Sequence, residues 1–266
     1  MKRKAAIVAC SNALDERARD KIKKVQQVLA KLNTETICSD YLCVNEAGNS
    51  ASGMERAGAL MKFYNNPEIS EIFDVSGGDI ANETLPYLDF ELIAKSQKRF
   101  WGYSDLTTII NAIYAKTSKE SVLYQVRFLK EECAKELYDI KYEFIQGNTM
   151  EGILVGGNIR CLLKLAGTEY WPDMRGKLLL LEARSGKVPQ MITFLSQLKQ
   201  LGVFDKVEGI LLGTFTEMER EGCKPTVEEL VKEFAGNKLP IAKTYDIGHG
   251  MDAKAIVIGK QYKFEK

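Results

Sequence analysis

The chain has 266 residues, room for one large or two modest domains, and its 37 basic and 36 acidic residues leave a formal net charge of +1. No long basic run interleaved with aromatics accompanies that balance, which argues against nucleic acid as a main partner. A hydrophobic fraction of 45% beside 27% charged residues is that of a soluble globular protein with a substantial core. The apolar run Ala5 to Ala9 after Met1-Lys2-Arg3-Lys4 ends at Cys10-Ser11-Asn12, too short for a secretory signal or a membrane span. The six cysteines, at positions 10, 38, 43, 133, 161 and 223, include no C-x-x-C pair. In a chain without an export signal they read as reduced thiols of a cytoplasmic protein with no membrane partner.

Lys4 to Ala9 predicts a strand, and Leu14, Ala18, Ile22, Val25, Leu29 and Leu32 follow at helical spacing, with a second strand at Thr34 to Cys38. That is the opening of a βαβ unit. A loop at Tyr41 to Gly53 precedes a helix from Glu55 to Tyr64, closed by Asn65-Asn66-Pro67. Ile69 to Val75 predicts a strand running into Ser76-Gly77-Gly78-Asp79, and Phe90 to Lys95 a short helix. Next, Arg99 to Gly102 reads as the end of a buried strand, Gly102-Tyr103-Ser104-Asp105 as a turn, and Leu106, Ile109, Ile110 and Ile113 as one face of a helix. Such alternation implies a mostly parallel sheet with helices on its faces. From Lys119 to Tyr142 strand and helix are not distinguished, and Gln146-Gly147-Asn148 reads as a link. Beyond it come the stretch Gly152 to Asn158, strands at 177–182, 207–213 and 255–259 and helices at 159–165, 191–201 and 226–234. A boundary falls near residues 142 to 152, giving domains 1–145 and 146–266.

Ser104 sits on a strand-to-helix turn, where backbone N–H groups and the helix dipole favour negative charge, as a nucleophilic serine requires. Taken alone, the same residues read first as a helix cap. His249 is the only histidine, so any imidazole acid/base chemistry must pass through it, and Gly248 and Gly250 flank it in a turn between strands. Glu182 ends the apolar run Leu178 to Leu181 and is a candidate to orient that imidazole. The order Ser, acid, His also occurs in α/β-hydrolases, but their G-x-S-x-G elbow is absent, since Leu106 stands at the second glycine position. Gly77-Gly78-Asp79 offers backbone N–H groups to an oxyanion. Neither it nor Gly156-Gly157-Asn158 is a dinucleotide fingerprint, and one histidine without paired cysteines makes a zinc site unexpected.

Together these stretches resemble the LD-carboxypeptidase family of serine peptidases, which includes the microcin C self-immunity proteins. The resemblance is carried by Gly77-Gly78-Asp79, Leu85-Pro86-Tyr87-Leu88-Asp89, Gly102-Tyr103-Ser104-Asp105-Leu106-Thr107, Gly156-Gly157-Asn158, Gly167-Thr168, Leu179-Leu180-Leu181-Glu182, Gly209 to Gly213 and Gly248-His249. It implies an N-terminal parallel-sheet α/β domain carrying the serine, a β-rich C-terminal α/β domain carrying glutamate and histidine, and an active site in the cleft between them. By resemblance Ser104 is the nucleophile, His249 the base and then acid, and Glu182 its orienter. The N–H groups of Gly78 and Asp105 are implied as the oxyanion hole. The resemblance implies cleavage of an amide next to a free carboxylate, such as the bond to terminal D-Ala in murein tetrapeptides. The immunity branch instead cleaves an aminoacyl or peptidyl nucleotide. No metal or organic cofactor is implied, and a homodimer is.

Some residues depart from the family pattern. The region between the domains is short, Arg160 stands where a small residue is usual, and Ala183-Arg184 follow Glu182 in place of further acids. Arg160, Arg184 and Arg127 are candidates to bind a substrate carboxylate. The leading expectation is a cytoplasmic carboxypeptidase acting on small murein peptides. The alternatives are an immunity-type amidase, for which Trp101 and Trp171 supply no evident platform for a base, and a non-catalytic binding homologue.

Overall fold

The computed structural model describes residues 3–15, 18–132 and 134–266. Residues 1–2, 16–17 and Cys133 lie outside the described residues. Two six-stranded sheets organise the chain. The first has the order β11-β5-β4-β3-β1-β2, built from β1 (Arg3–Val8), β2 (Thr34–Cys38), β3 (Ile69–Asp74), β4 (Arg99–Gly102), β5 (Ser121–Leu123) and β11 (Ile256–Ile258). It is parallel except for β11, which runs antiparallel to β5. The second has the order β12-β7-β8-β9-β10-β6, from β6 (Glu143–Gln146), β7 (Thr149–Asn158), β8 (Lys177–Ala183), β9 (Gly209–Phe215), β10 (Ile241–Lys243) and β12 (Gln261–Glu265). Its four inner strands are parallel and its two edges antiparallel.

Helices cover both sheets, as buried parallel strands require. In α1 (Arg19–Lys31) Ile22, Val25 and Leu29 face inward at helical spacing. Leu14, expected in this helix, instead precedes it and bridges to Cys43. The helix α2 (Gly53–Asn65) starts at a capping box in which Ser52 Oγ accepts from Glu55 N–H at 3.3 Å and the Glu55 carboxylate accepts from Ser52 N–H at 2.9 Å. Four further helices follow in order: α3 (Phe90–Lys95), α4 (Thr107–Thr117), α5 (Ile159–Leu163) and α6 (Val188–Gln200). The last two are α7 (Thr216–Arg220) and α8 (Val227–Ala235). The stretch left undecided between 119 and 142 contains β5, a 3-10 turn at Val126–Phe128 and irregular chain. No described helix is long and apolar enough to cross a membrane.

Period-two alternation sorts side chains onto faces. Ala6 and Val8 of β1 join Leu178 and Leu180 of β8 in one core cluster that runs between the sheets through α4. Ala5 and Ile7 pack under α1, and Leu179 and Leu181 under α6 and α8. All four leucines at 178–181 are fully buried, each contributing about 1.5–3 kcal/mol by leaving water. The sheets are also tied together by the chain end. β6 lies across residues 145/146 and belongs to the second sheet, whereas β11, far downstream, completes the first. The strand expected to close the chain at 255–259 is followed by β12, which returns to pair with β7.

Candidate active site

The nucleophile candidate owes its position to a local conflict that the fold resolves. β4 ends at Gly102, and the 3-10 turn Ser104–Leu106 begins at once, leading into α4. Ser104 takes φ +57°, a left-handed conformation that costs a non-glycine residue about 1–2 kcal/mol. It is partly exposed, whereas Tyr103 and Asp105 on either side are buried. Being the second residue of the turn, Asp105 has a backbone N–H without an intrahelical acceptor by position.

Glu182 lies on β8, opposite Asn158 of β7, and is fully buried. Its neighbour β9 slips register between Leu181 and Ala183, beside the carboxylate. Across that slip the loop bearing His249 comes down onto β9, with Thr214 N–H donating to the Ile247 carbonyl at 2.8 Å. Gly248 permits this approach, since a Cβ there would overlap the Thr214 side chain. His249 Nδ1 then lies 2.9 Å from Glu182 Oε2. That contact is a close approach rather than an aligned hydrogen bond: both His249 nitrogens, both Glu182 oxygens, Tyr103 Oη and Thr214 Oγ1 are buried and make no well-aligned hydrogen bond.

Ser104 and His249 line one pocket of about 350 Å³, together with Gly78, Asn12, Arg127 and Arg184. Gly78 has φ +132°, and a Cβ would overlap the Asn12 side chain, so only glycine fits this turn. Arg127 sits on the 3-10 turn after β5. Burial, foremost, disfavours its charged form, with Arg184 adding to this and Asp74 opposing it. Among the described residues no carboxylate pairs with either guanidinium. Arg160 is elsewhere: its guanidinium binds the Asp79 carboxylate and donates to the Gly78 carbonyl at 3.2 Å. Thus Ser104, His249, Gly78 and Arg184 share a pocket with Glu182 behind it, and Arg160 lies outside its wall.

Residues that the sequence reading missed also shape the site. Tyr103 packs edge-on against the His249 ring at 4.8 Å. Lys164 reaches Asp105 Oδ1 at 2.5 Å, and Arg56, fully buried, holds the carbonyls of Cys10 and Ile80. Only Lys164 left a signal, standing four residues after Arg160 on one helical face. Cys10, Cys38, Cys43, Cys161 and Cys223 are free thiols. No group of three His, Cys, Asp or Glu among the described residues is placed to hold a metal ion.

The molecule is thus two joined α/β units, with Ser104 and His249 lining one pocket and Glu182 against His249. A solved structure of the microcin C7 self-immunity protein MccF in complex with aspartyl sulfamoyl adenosine has this fold, with a TM-score of 0.88 at 21% identity over 100% of this chain and 93% of that one. The LD-carboxypeptidase N-terminal domain matches residues 5–124 and the LD-carboxypeptidase C-terminal domain residues 151–264. A probable murein peptide carboxypeptidase of Bacillus subtilis is 30% identical over 232 residues, covering 77% of this chain and 72% of that protein. The microcin C7 self-immunity protein MccF of Escherichia coli is 28% identical over 244 residues, covering 73% and 71%. The chain belongs to the LD-carboxypeptidase family of peptidases.

Proposed function

We propose that the chain is a serine carboxypeptidase that hydrolyses the amide between an L-configured centre and a C-terminal D-amino acid in murein peptides. The observation that carries the reading is the Glu182 carboxylate 2.9 Å behind an imidazole that shares its pocket with Ser104. His249 takes the Ser104 Oγ proton as Oγ attacks the carbonyl carbon, while Glu182 holds the imidazole and stabilises its charged form. The oxyanion that forms is met by the N–H groups of Gly78 and Asp105, donors typically worth about 3 kcal/mol each. Collapse expels the D-amino acid, whose amine receives the proton from His249, and water then releases the acyl group by the same steps. In this division of labour residues 1–145 supply the nucleophile and 146–266 the acid/base pair.

Arg184, with Arg127 beside it, is suited to the carboxylate of the departing residue, because two guanidiniums facing one pocket favour an anion between them. An aminoacyl nucleotide fits less well. Trp101 is a core residue 5.2 Å from Phe73, Trp171 packs against the hydrophobic cores, and neither lines the pocket. The test is release of free D-Ala from a murein tetrapeptide, with Ser104→Ala and an aminoacyl sulfamoyl adenosine run in parallel. Turnover of the tetrapeptide, reduced at least about a thousandfold in Ser104→Ala, is expected. Cleavage of the nucleotide conjugate alone would move the chain to the immunity-type activity, and cleavage of neither would refute both.

A further inference from the structure

Arg160 and Lys164 stand four residues apart, one inside α5 and one just past its end, on the same side of the helix. Both leave the second sheet's unit and close on the loop and turn that carry the candidate oxyanion donors. Arg160 binds the Asp79 carboxylate and, at 3.2 Å, the Gly78 carbonyl. Lys164 Nζ donates to the Asp79 carbonyl at 2.8 Å and to Asp105 Oδ1 at 2.5 Å. The peptide joining Gly78 to Asp79 is held at both ends, since Asp79 N–H donates to Asn12 Oδ1 at 2.7 Å. Asp105 is equally fixed: its Oδ2 accepts from Ser11 Oγ at 2.6 Å and from Ala81 N–H at 2.8 Å. A fully buried carboxylate next to the nucleophile would otherwise oppose a developing oxyanion, and Lys164 supplies the compensating charge.

We infer that Arg160 and Lys164 are positioning residues: the second unit lends two cations that set the Gly78 loop and the Asp105 turn. Docking of the two units is thereby a condition of turnover. This rests on the serine peptidase reading above. Arg160 then serves the transition state rather than the substrate's carboxylate. Interactions that shape only the oxyanion site change kcat and leave ground-state binding nearly untouched.

The experiment measures kcat and KM on a murein tetrapeptide for the wild type, Arg160→Ala, Arg160→Lys and Lys164→Met, with Ser104→Ala alongside. A peptide boronic acid that mimics the tetrahedral adduct is titrated against each. Arg160→Ala should lower kcat about 10–100-fold, the scale of a misplaced rather than deleted donor, with KM within about twofold. Boronate affinity should fall in proportion, and Arg160→Lys should recover part of the loss. Because Lys164→Met strands a buried charge and risks unfolding, the exchange Arg160→Asp with Asp79→Arg provides a second check, restoring kcat above that of Arg160→Asp alone. A rise in KM matching the loss in kcat, or no change in either, would overturn the inference while a dead Ser104→Ala upholds the serine reading. Turnover surviving in Ser104→Ala would overturn that reading and this inference together.

Discussion

Tyr103 stands one residue before Ser104 and turns its ring into the Glu182–His249 pair, edge-on to the imidazole at 4.8 Å. Burial, and after it the Glu182 carboxylate, hold its phenol far above the usual titration range, since ionisation would set two negative charges side by side away from water. The folded state therefore keeps a proton that the unfolded chain releases near pH 10, so this group's contribution to stability declines as pH rises above about 10. Tyr103→Phe keeps the ring and removes the titrating group. Chemical denaturation on either side of about pH 10 should show a shallower alkaline loss of stability in Tyr103→Phe than in the wild type. Equal losses would contradict the placement of that hydroxyl. Tyr103 was not legible as a site residue because an aromatic at the end of an apolar strand reads as core, which it also is. Ser104, Glu182 and His249 stood out as candidates because each marks a break: a serine on a strand-to-helix turn, a carboxylate ending a leucine run, a sole histidine between glycines; their grouping into one proposed site came from the family resemblance.

Among the elements, the join between α4 and β7 fixes the helix that follows the candidate nucleophile. β12 covers β7 only from Thr149 to Ile153, leaving the next edge groups to other partners. Leu154 exchanges bonds with Gly259 and Lys260 at 2.8 and 2.9 Å. The Asn111 side chain donates to the Gly156 carbonyl at 2.9 Å and accepts from its N–H at 2.8 Å, as a neighbouring strand would. Thr107 Oγ1 then accepts from Asn158 N–H at 3.1 Å. Asn111→Ala would leave the buried N–H and carbonyl of Gly156 without partners, at a cost of about 2–5 kcal/mol. Urea denaturation should find that loss, and a change within about 0.5 kcal/mol, the usual range for surface positions, would refute the join. Helical periodicity marked Leu106, Ile109, Ile110 and Ile113 as one face of this helix and was silent on Thr107, Thr108 and Asn111, which are fully buried as well. One chain's pattern separates apolar from polar faces, and it does not say when a polar face meets another unit. β12 had a readable alternation, Tyr262 and Phe264 between polar residues, on a strand too short and terminal to stand out.

Across the whole molecule, the site depends on three connections between units. α4 is bonded to β7, the basic pair after β7 closes on the Gly78 loop, and β11 and β12 carry the chain end from one sheet to the other. The loop with His249 is held from the opposite side as well, where Lys141 N–H donates to the Asp246 carboxylate at 2.6 Å and Ala255 N–H to the Leu137 carbonyl at 2.8 Å. Alternating β and α elements made the mostly parallel first sheet with helices on its faces legible, since local periodicity encodes it. These connections were not, because they are made by residues 45 or more positions apart whose side chains are ordinary in their own segments. In the proposed mechanism this assembled cleft turns Ser104 into a nucleophile that carries the acyl group. The most direct measurement is to quench the protein with acid during turnover of a slow peptide substrate and locate any added mass by peptide mapping. An acyl adduct on Ser104, absent from Ser104→Ala, is expected; product formation with no adduct there, or with an adduct on another residue, would contradict the proposed mechanism.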